Sequence, residues 1–425
     1  LQFGDDDEET RMVNLLLAII YLAFISLGLP DGLLGAAWPT MSADIHAPLS
    51  WAGGISMVIS AGTVCSALLS DRLTLRFGTG RVTAVSVAMT AAALFGFSFA
   101  PNYGVLVLMA IPYGLGAGGV DAALNNYVAV HYTSRHMSWL HCMWGLGALI
   151  GPYIMGFTLA HGDGWQWGYR SVGILQVVLT AVLIFSLPLW RARGSAAQLE
   201  EVVTMPDGDG AVEPKEPAKR KPLGLLGVLR IPGAVQILIM FFCYCAVEQT
   251  AMLWASSYMV GVDHIGESQA ANLASLFFIG ITVGRFLSGF LTMRMSDPQM
   301  IRLGVVLLFA GIMVMLLPIP GIGNTVVGFV LVGLGCAPIY PCVIHSTPTY
   351  FGADRSQAIV GVQMACAYIG TMLVPPLFGV IAQATTLALL PWFLLLFSAA
   401  LIVMHEWLRA KTHAKSDSVT DSAAH

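Results

Sequence analysis

The chain reads as an all-α membrane protein with twelve transmembrane helices in two six-helix repeats. Three observations predict it. Of its 425 residues, 56% are hydrophobic and only 10% are charged, whereas soluble domains carry about a quarter charged residues. So little charge cannot cover a soluble surface of this size. Apolar runs long enough to cross a bilayer recur between short polar breaks along the whole chain,. Segments of the first half return in the second at a nearly constant offset.

The apolar runs predict helices over 12–39, 51–70, 81–100, 103–130, 138–161, 168–190, 232–260, 269–293, 300–318, 326–346, 357–384 and 387–407. Each approaches or exceeds the roughly 20 residues that span the hydrocarbon. None shows the strict alternation of barrel strands, so helices must satisfy their backbones. The first run begins after the acidic stretch Asp5–Glu9 and is interrupted by Gly28-Leu-Pro30-Asp31-Gly32. The second and third flank a loop carrying Arg72, Arg76 and Arg81. The fourth contains Tyr113-Gly-Leu-Gly-Ala-Gly-Gly-Val-Asp121. Gly151-Pro152 should kink the fifth, and Pro375-Pro376 the eleventh,. The seventh carries Glu248 and the eighth Arg285.

These spans divide the chain into a tail (1–11), a first half (12–190), a polar connection (191–231), a second half (232–407) and a tail (408–425). The connection, rich in Glu, Asp, Pro, Gly and Lys, reads as a flexible linker. The tail beyond Arg409 reads as disordered.

Of 20 Lys and Arg residues, all but Arg170 and Arg285 fall in the termini or the even-numbered loops. The positive-inside rule then places both termini in the cytoplasm, and the expected location is the plasma membrane, a bacterial inner membrane. The net charge of −4 speaks against a nucleic-acid partner. Seven cysteines lie in apolar segments without zinc-finger spacing and read as buried free thiols,. No metal or cofactor is expected. Gly114-x-Gly116 follows no strand, so it is not a dinucleotide loop.

The repeat has three anchors. Tyr113-Gly-Leu-Gly116 in the fourth span returns as Val332-Gly-Leu-Gly335 in the tenth, with Tyr340 where the first copy has Asp121. Leu146-Gly-Ala-Leu-Ile-Gly-Pro152 matches Ile369-Gly-Thr-Met-Leu-Val-Pro375. Leu69-Ser-Asp-Arg-Leu-Thr-Leu-Arg76 matches Leu287-Ser-Gly-Phe-Leu-Thr-Met-Arg294. Two six-helix units in one orientation form a parallel repeat, with a cavity expected between them near the midplane.

On these residues the chain resembles the major facilitator superfamily over essentially its whole length. Ser70-Asp71-Arg72-Leu-Thr-Leu-Arg76-Phe-Gly78-Thr-Gly-Arg81 is similar to that family's loop between helices 2 and 3, although its ending departs from the commoner Gly-Arg-Arg. The resemblance implies alternating access by rocking of the halves, with Asp71, Arg72 and Arg76 in a cytoplasmic gate. Within the superfamily the chain resembles the fucose-permease-like branch of proton-coupled sugar symporters. That likeness rests on Asp31 in the first span and Asp121 in the fourth, and it implies roles for both in coupling and substrate binding.

Three acids lie deep in the spans: Asp31, Asp121 and Glu248. Intramembrane carboxyls are costly and mark candidate ion sites. Desolvation favours the neutral form, which lets such a group take up and release protons near neutral pH. The three are therefore the candidate proton-coupling residues; a structural carboxylate is the alternative for each. The coupling ion is a proton, with sodium as the alternative.

Candidate substrate contacts are Trp38, Asn125, Asn126, His141, Trp144, Gln249, Trp254, Tyr340, His345, Gln363 and Tyr368. Amides donate to and accept from hydroxyls, and aromatic rings stack on sugar faces. Interhelical hydrogen bonding is the competing role for any one of them. Arg285 reads as the partner of an acid, with snorkelling or an anionic substrate as the alternatives. One deep base against three deep acids leans against an anionic cargo.

The function expected is a monomeric secondary transporter of a small neutral polar solute, most simply a sugar, in symport with protons. The alternative is a proton-driven exporter of drugs or lipophilic compounds, suggested by Gly147-x3-Gly151-Pro152-x3-Gly156. A membrane enzyme is disfavoured, since no nucleophile–base pairing stands out. A nutrient sensor is disfavoured because the chain shows no signalling domain.

Overall fold

The computed structural model describes residues 5–48, 51–190, 223–265, 267–318 and 322–423. The first half contains α1 (Asp5–Gly28), α2 (Leu33–Asp44), α3 (Ala52–Phe77), α4 (Thr79–Ser98), α5 (Tyr103–His131), α6 (Ser134–Ala160) and α7 (Gly164–Phe185). The second contains the short α8 (Leu225–Leu229), then α9 (Ala234–Gly261), α10 (Glu267–Leu291), α11 (Asp297–Met315), α12 (Gly323–His345), α13 (Thr347–Phe351), α14 (Ala353–Ala384) and α15 (Leu390–Ala423). Among the described residues, eleven helical segments are long and apolar enough to span a membrane, and Leu276–Leu291 within α10 is a shorter twelfth. Most of the expected linker lies outside the described residues. The last helix continues past Arg409, where the sequence suggests disorder. Ala410, Lys411, Ala414 and Lys415 are good helix formers and extend it.

The first span is broken as the sequence suggests. Pro30 has no N–H to donate, so α1 stops at Gly28 and a turn covers 29–32,. Within it Asp31 N donates to Gly28 O at 3.1 Å and Leu33 N to Pro30 O at 3.1 Å. At the other breaks, Asn102 caps α5 by accepting from Val105 N at 3.1 Å,. Gly78 adopts φ +81°, which lets α4 start directly after α3,.

Internal symmetry is visible in how glycines pack. A methyl on Gly114 would strike Ile59 O, and one on Gly333 would strike Phe277 O. A methyl on Gly116 would strike Ser86 O, and one on Gly335 would strike Gly304 O. Each contact of α5 with α3 and α4 thus returns about 218 residues later as a contact of α12 with α10 and α11. Small residues allow this close approach where lipid supplies no hydrophobic drive between helices.

Between the halves, α3 packs on α14 and α6 on α10. One end of the bundle carries Arg72, Arg76, Arg81 and Arg135 and is called the basic end here. Among the described residues, every hydrogen bond between the halves lies at that end or at mid-depth. Asn126 on α5 bonds Ser356 on α14. Gln357 Nε2 donates to Ser70 Oγ at 3.2 Å and to Ala122 O at 3.4 Å. His345 Nε2 donates to Tyr132 O at 2.9 Å. The seam is therefore closed at the basic end.

Candidate functional site

Asp31 sits at the helix break, exposed to open space although it lies deep along the first span. Its Oδ2 accepts from Trp144 Nε1 of α6 at 2.8 Å, and its Oδ1 accepts a long 3.4 Å bond from Tyr113 Oη of α5. The break turns the side chain out of the helix ladder and toward α5 and α6.

Asp121 is buried on α5. Its Oδ1 accepts from Asn125 Nδ2 at 2.7 Å, one helical turn on. Its Oδ2 accepts from Tyr368 Oη at 2.8 Å, across the seam on α14. With the amide nitrogen committed to Asp121, Asn125 Oδ1 accepts a hydrogen bond from His141 Nε2 at 3.0 Å. His141 lies edge-on to Phe24 and to Tyr340, with ring centroids 5.5 and 4.5 Å apart. A single chain of bonds thus runs from α6 through α5 to α14. Asp31 and Asp121 share no hydrogen-bond partner.

The third deep acid is compensated. Glu248 Oε1 accepts from Arg285 at 2.9 Å, and both side chains are buried. The Arg285 guanidinium also lies 5.6 Å from the Trp144 ring centre and 5.9 Å from that of Tyr340. Removing a charge from water in this way demands a partner. Trp144 therefore touches Asp31 through its N–H and the Arg285–Glu248 pair through its ring face. Among the described residues, no basic side chain pairs with Asp31 or Asp121.

The remaining predicted residues occupy varied places. Tyr340 is half-buried, with its Oη 3.5 Å from Met364 Sδ. Trp254 donates to Pro375 O at 2.9 Å and packs edge-on to Phe378. Gln249 is half-buried on α9, and Trp38 is buried on α2. Gln363 is fully buried and accepts from Thr347 Oγ1 at 3.0 Å. His345 lies at the basic end, 2.5 Å from Asp297 Oδ2, and Asn126 belongs to the closed seam. Asp71 is buried there and accepts from Leu223 N at 3.0 Å, which joins α3 to the last part of the connection between the halves. Arg72 and Arg76 are exposed, with Arg76 lying over the Phe77 ring.

Sequence reasoning passed over Tyr113, Ser70, Ser356 and Gln357. Tyr113 opens the motif that ends in Asp121, so it was legible as a neighbour of the site. The other three bond across the seam, which only the docking of the halves reveals.

A cavity of about 260 Å³ adjoins Asp31 within the first half, lined among others by Tyr113, Tyr169, Phe97, Ser56 and Ser60. Among the described residues, no cluster of His, Cys, Asp or Glu is suited to a metal.

The Major Facilitator Superfamily profile matches residues 20–266 and 237–424. The chain is 23% identical over 407 residues to Bypass of stop codon protein 6 of Saccharomyces cerevisiae, covering 89% of this chain and 79% of that one. It is 24% identical over 290 residues to the glucose/mannose transporter GlcP of Bacillus subtilis, covering 67% of each. Among solved structures it resembles the E. coli fucose:proton symporter FucP at TM-score 0.69 and 14% identity, covering 93% of this chain and 98% of that one. At that identity the likeness speaks for the fold alone. The profile spans both halves, and the duplicated six-helix units agree with it. The chain belongs to the Major Facilitator Superfamily and is a multi-pass membrane transporter of a small-molecule substrate, not an enzyme.

Proposed function

We propose that this transporter carries a neutral hydroxylated solute, a sugar, in symport with protons. The observation that carries the reading is the pair of deep carboxyls, Asp31 and Asp121, held by neutral donors alone. Among the described residues, the cation nearby, Arg285, is committed to Glu248. An intramembrane carboxyl with no cationic partner is a candidate station in a proton relay. Glu248, already balanced, serves as a fixed charge in this state. The printed names of the Bacillus glucose/mannose transporter and the fucose:proton symporter support the sugar class.

The two stations have distinct tasks in this reading. The basic end faces the cytoplasm by the positive-inside rule, so the closed seam makes this the outward-open state. Asp31 meets protons arriving from outside. Protonating Asp121 turns the charged acceptor of Tyr368 Oη into a neutral one. Charge-assisted bonds are about twice as strong as neutral ones, so protonation loosens a bond that holds the halves together. Solute and proton together then favour rocking to the inward-open state. The transporter works as a monomer in the bacterial inner membrane, with both termini in the cytoplasm.

Reconstitution tests this. Purified protein in liposomes is given labelled D-glucose, D-mannose, L-fucose and cationic dyes under an imposed pH gradient, while internal pH is recorded. Sugar uptake with inward proton movement is expected. Asp31→Asn and Asp121→Asn should abolish uphill accumulation. Proton movement opposite to the solute would overturn symport in favour of export, and full accumulation by both variants would remove the coupling assignment.

A further inference from the structure

We propose that Arg170, held between Phe99 and Trp167, is a docking site for the phosphate of an anionic phospholipid in the leaflet opposite the basic end. The site lies where the end of α4 meets the start of α7. The Arg170 guanidinium lies 4.5 Å from the centre of the Phe99 ring and 5.0 Å from that of Trp167. Aromatic faces attract a cation and orient it, but they do not neutralise it. Among the described residues, no hydrogen bond or ion pair holds this side chain. Its Nε is buried without a partner, whereas Nη1 and Nη2 remain open to the outside.

The acids at that end do not supply the missing charge. Asp44 accepts from Trp165 Nε1 at 2.7 Å, and Asp263 accepts from Thr325 Oγ1 at 3.1 Å. Asp163 is exposed, and no ion pair joins it to Arg170. The planar fork of an arginine suits phosphate oxygens, which it binds through paired N–H bonds. A lipid fits better than a free phosphate because of what surrounds the charge. Phe99 and Trp167 are 67% and 49% exposed, as expected of rings at the level of lipid headgroups. On α7, Ile174, Val177, Ala181 and Ile184 follow Arg170 at helical spacing and share its face,. Ile174, Val177 and Ile184 are exposed, so an apolar stripe runs from the guanidinium toward the middle of the bilayer. Charge and stripe stand in line, as headgroup and acyl chain do in a phospholipid.

The test is native mass spectrometry of the purified full-length protein, titrated with phosphatidylglycerol, phosphatidylcholine or glycerol phosphate, a headgroup without chains. Wild type should hold one phosphatidylglycerol more tightly than phosphatidylcholine and show no measurable binding of glycerol phosphate. Arg170→Gln should weaken phosphatidylglycerol binding about three- to tenfold, as expected for one charge-assisted contact at an exposed edge, and leave phosphatidylcholine binding unchanged. Arg170→Lys keeps the charge without the planar fork and should fall between. Trp167→Ala keeps the charge and removes one ring, and it should also weaken phosphatidylglycerol binding. Both Arg170 variants should unfold at the wild-type temperature in detergent without lipid, since no protein contact of charge or hydrogen bond is lost; if Arg170→Gln does not fold, Trp167→Ala decides. Wild-type affinity for phosphatidylglycerol in Arg170→Gln, or in Trp167→Ala, would overturn the site. An equal loss for phosphatidylcholine would overturn the anionic preference, and Arg170-dependent binding of glycerol phosphate as tight as that of the lipid would overturn the lipid assignment.

Discussion

Gly361→Ala should unlatch the basic end. A Cβ at Gly361 on α14 would lie 2.5 Å from Ala67 O and 2.6 Å from Ser70 Oγ on α3. Ordinary contact begins near 3.4 Å, so the two helices must part by about 0.9 Å. The backbone carbonyl cannot rotate aside as a side chain could. Overpacking of this kind costs about 1–3 kcal/mol. If the cost falls only on the state with the basic end closed, that state loses roughly 5–150-fold in relative population. The same movement strains the Gln357–Ser70 and Asn126–Ser356 bonds. Hydrogen–deuterium exchange read by mass spectrometry is the assay. Peptides covering 61–77 and 353–365 should exchange faster in the variant. Gly156→Ala should change nothing, since a Cβ there meets no atom within 4 Å. Unchanged exchange in Gly361→Ala would refute the close packing of α3 on α14 and the role given to the seam.

Two further outcomes follow from the charges. Arg285→Met should destabilise the protein by about 3–5 kcal/mol, because Glu248 is left buried and unpaired; adding Glu248→Met should recover most of that,. Thermal unfolding in detergent decides it, and a double variant as unstable as the single would contradict the pairing argument. Burial raises the Asp263 carboxyl above the ordinary carboxylate range, against the lowering effect of the Thr325 bond. A raised acid favours the folded state while protonated, and that contribution is lost as pH rises through the raised value. Asp263→Asn should therefore gain stability over wild type between about pH 4 and neutrality and show little difference in more acid solution; a difference independent of pH would refute the assignment.

Much of the fold was legible because bilayer physics writes itself into sequence. The break at Pro30 follows from a missing N–H. The Gly114/Gly333 and Gly116/Gly335 pairs could be matched by motif, and the structure gives each the same neighbour in its own half. The three deep acids could be named from their place within apolar runs. Their partners could not. Asp121 bonds Tyr368 some 247 positions away, and Glu248 bonds Arg285 on the next helix. His345 and Gln363 have the chemistry of a binding site, yet the one bonds at the closed basic end and the other bonds Thr347.

The sequence by itself determined the number of spans, the duplication, the break in the first helix and which carboxyls face a desolvation cost. These are properties of single residues or of one helix against lipid, and they need no partner to be read. Tertiary structure decided which deep carboxyl gains a cationic partner and which polar groups seal the seam. Those depend on how helices dock within each half and across the seam, and such distances are set by packing that no local pattern encodes.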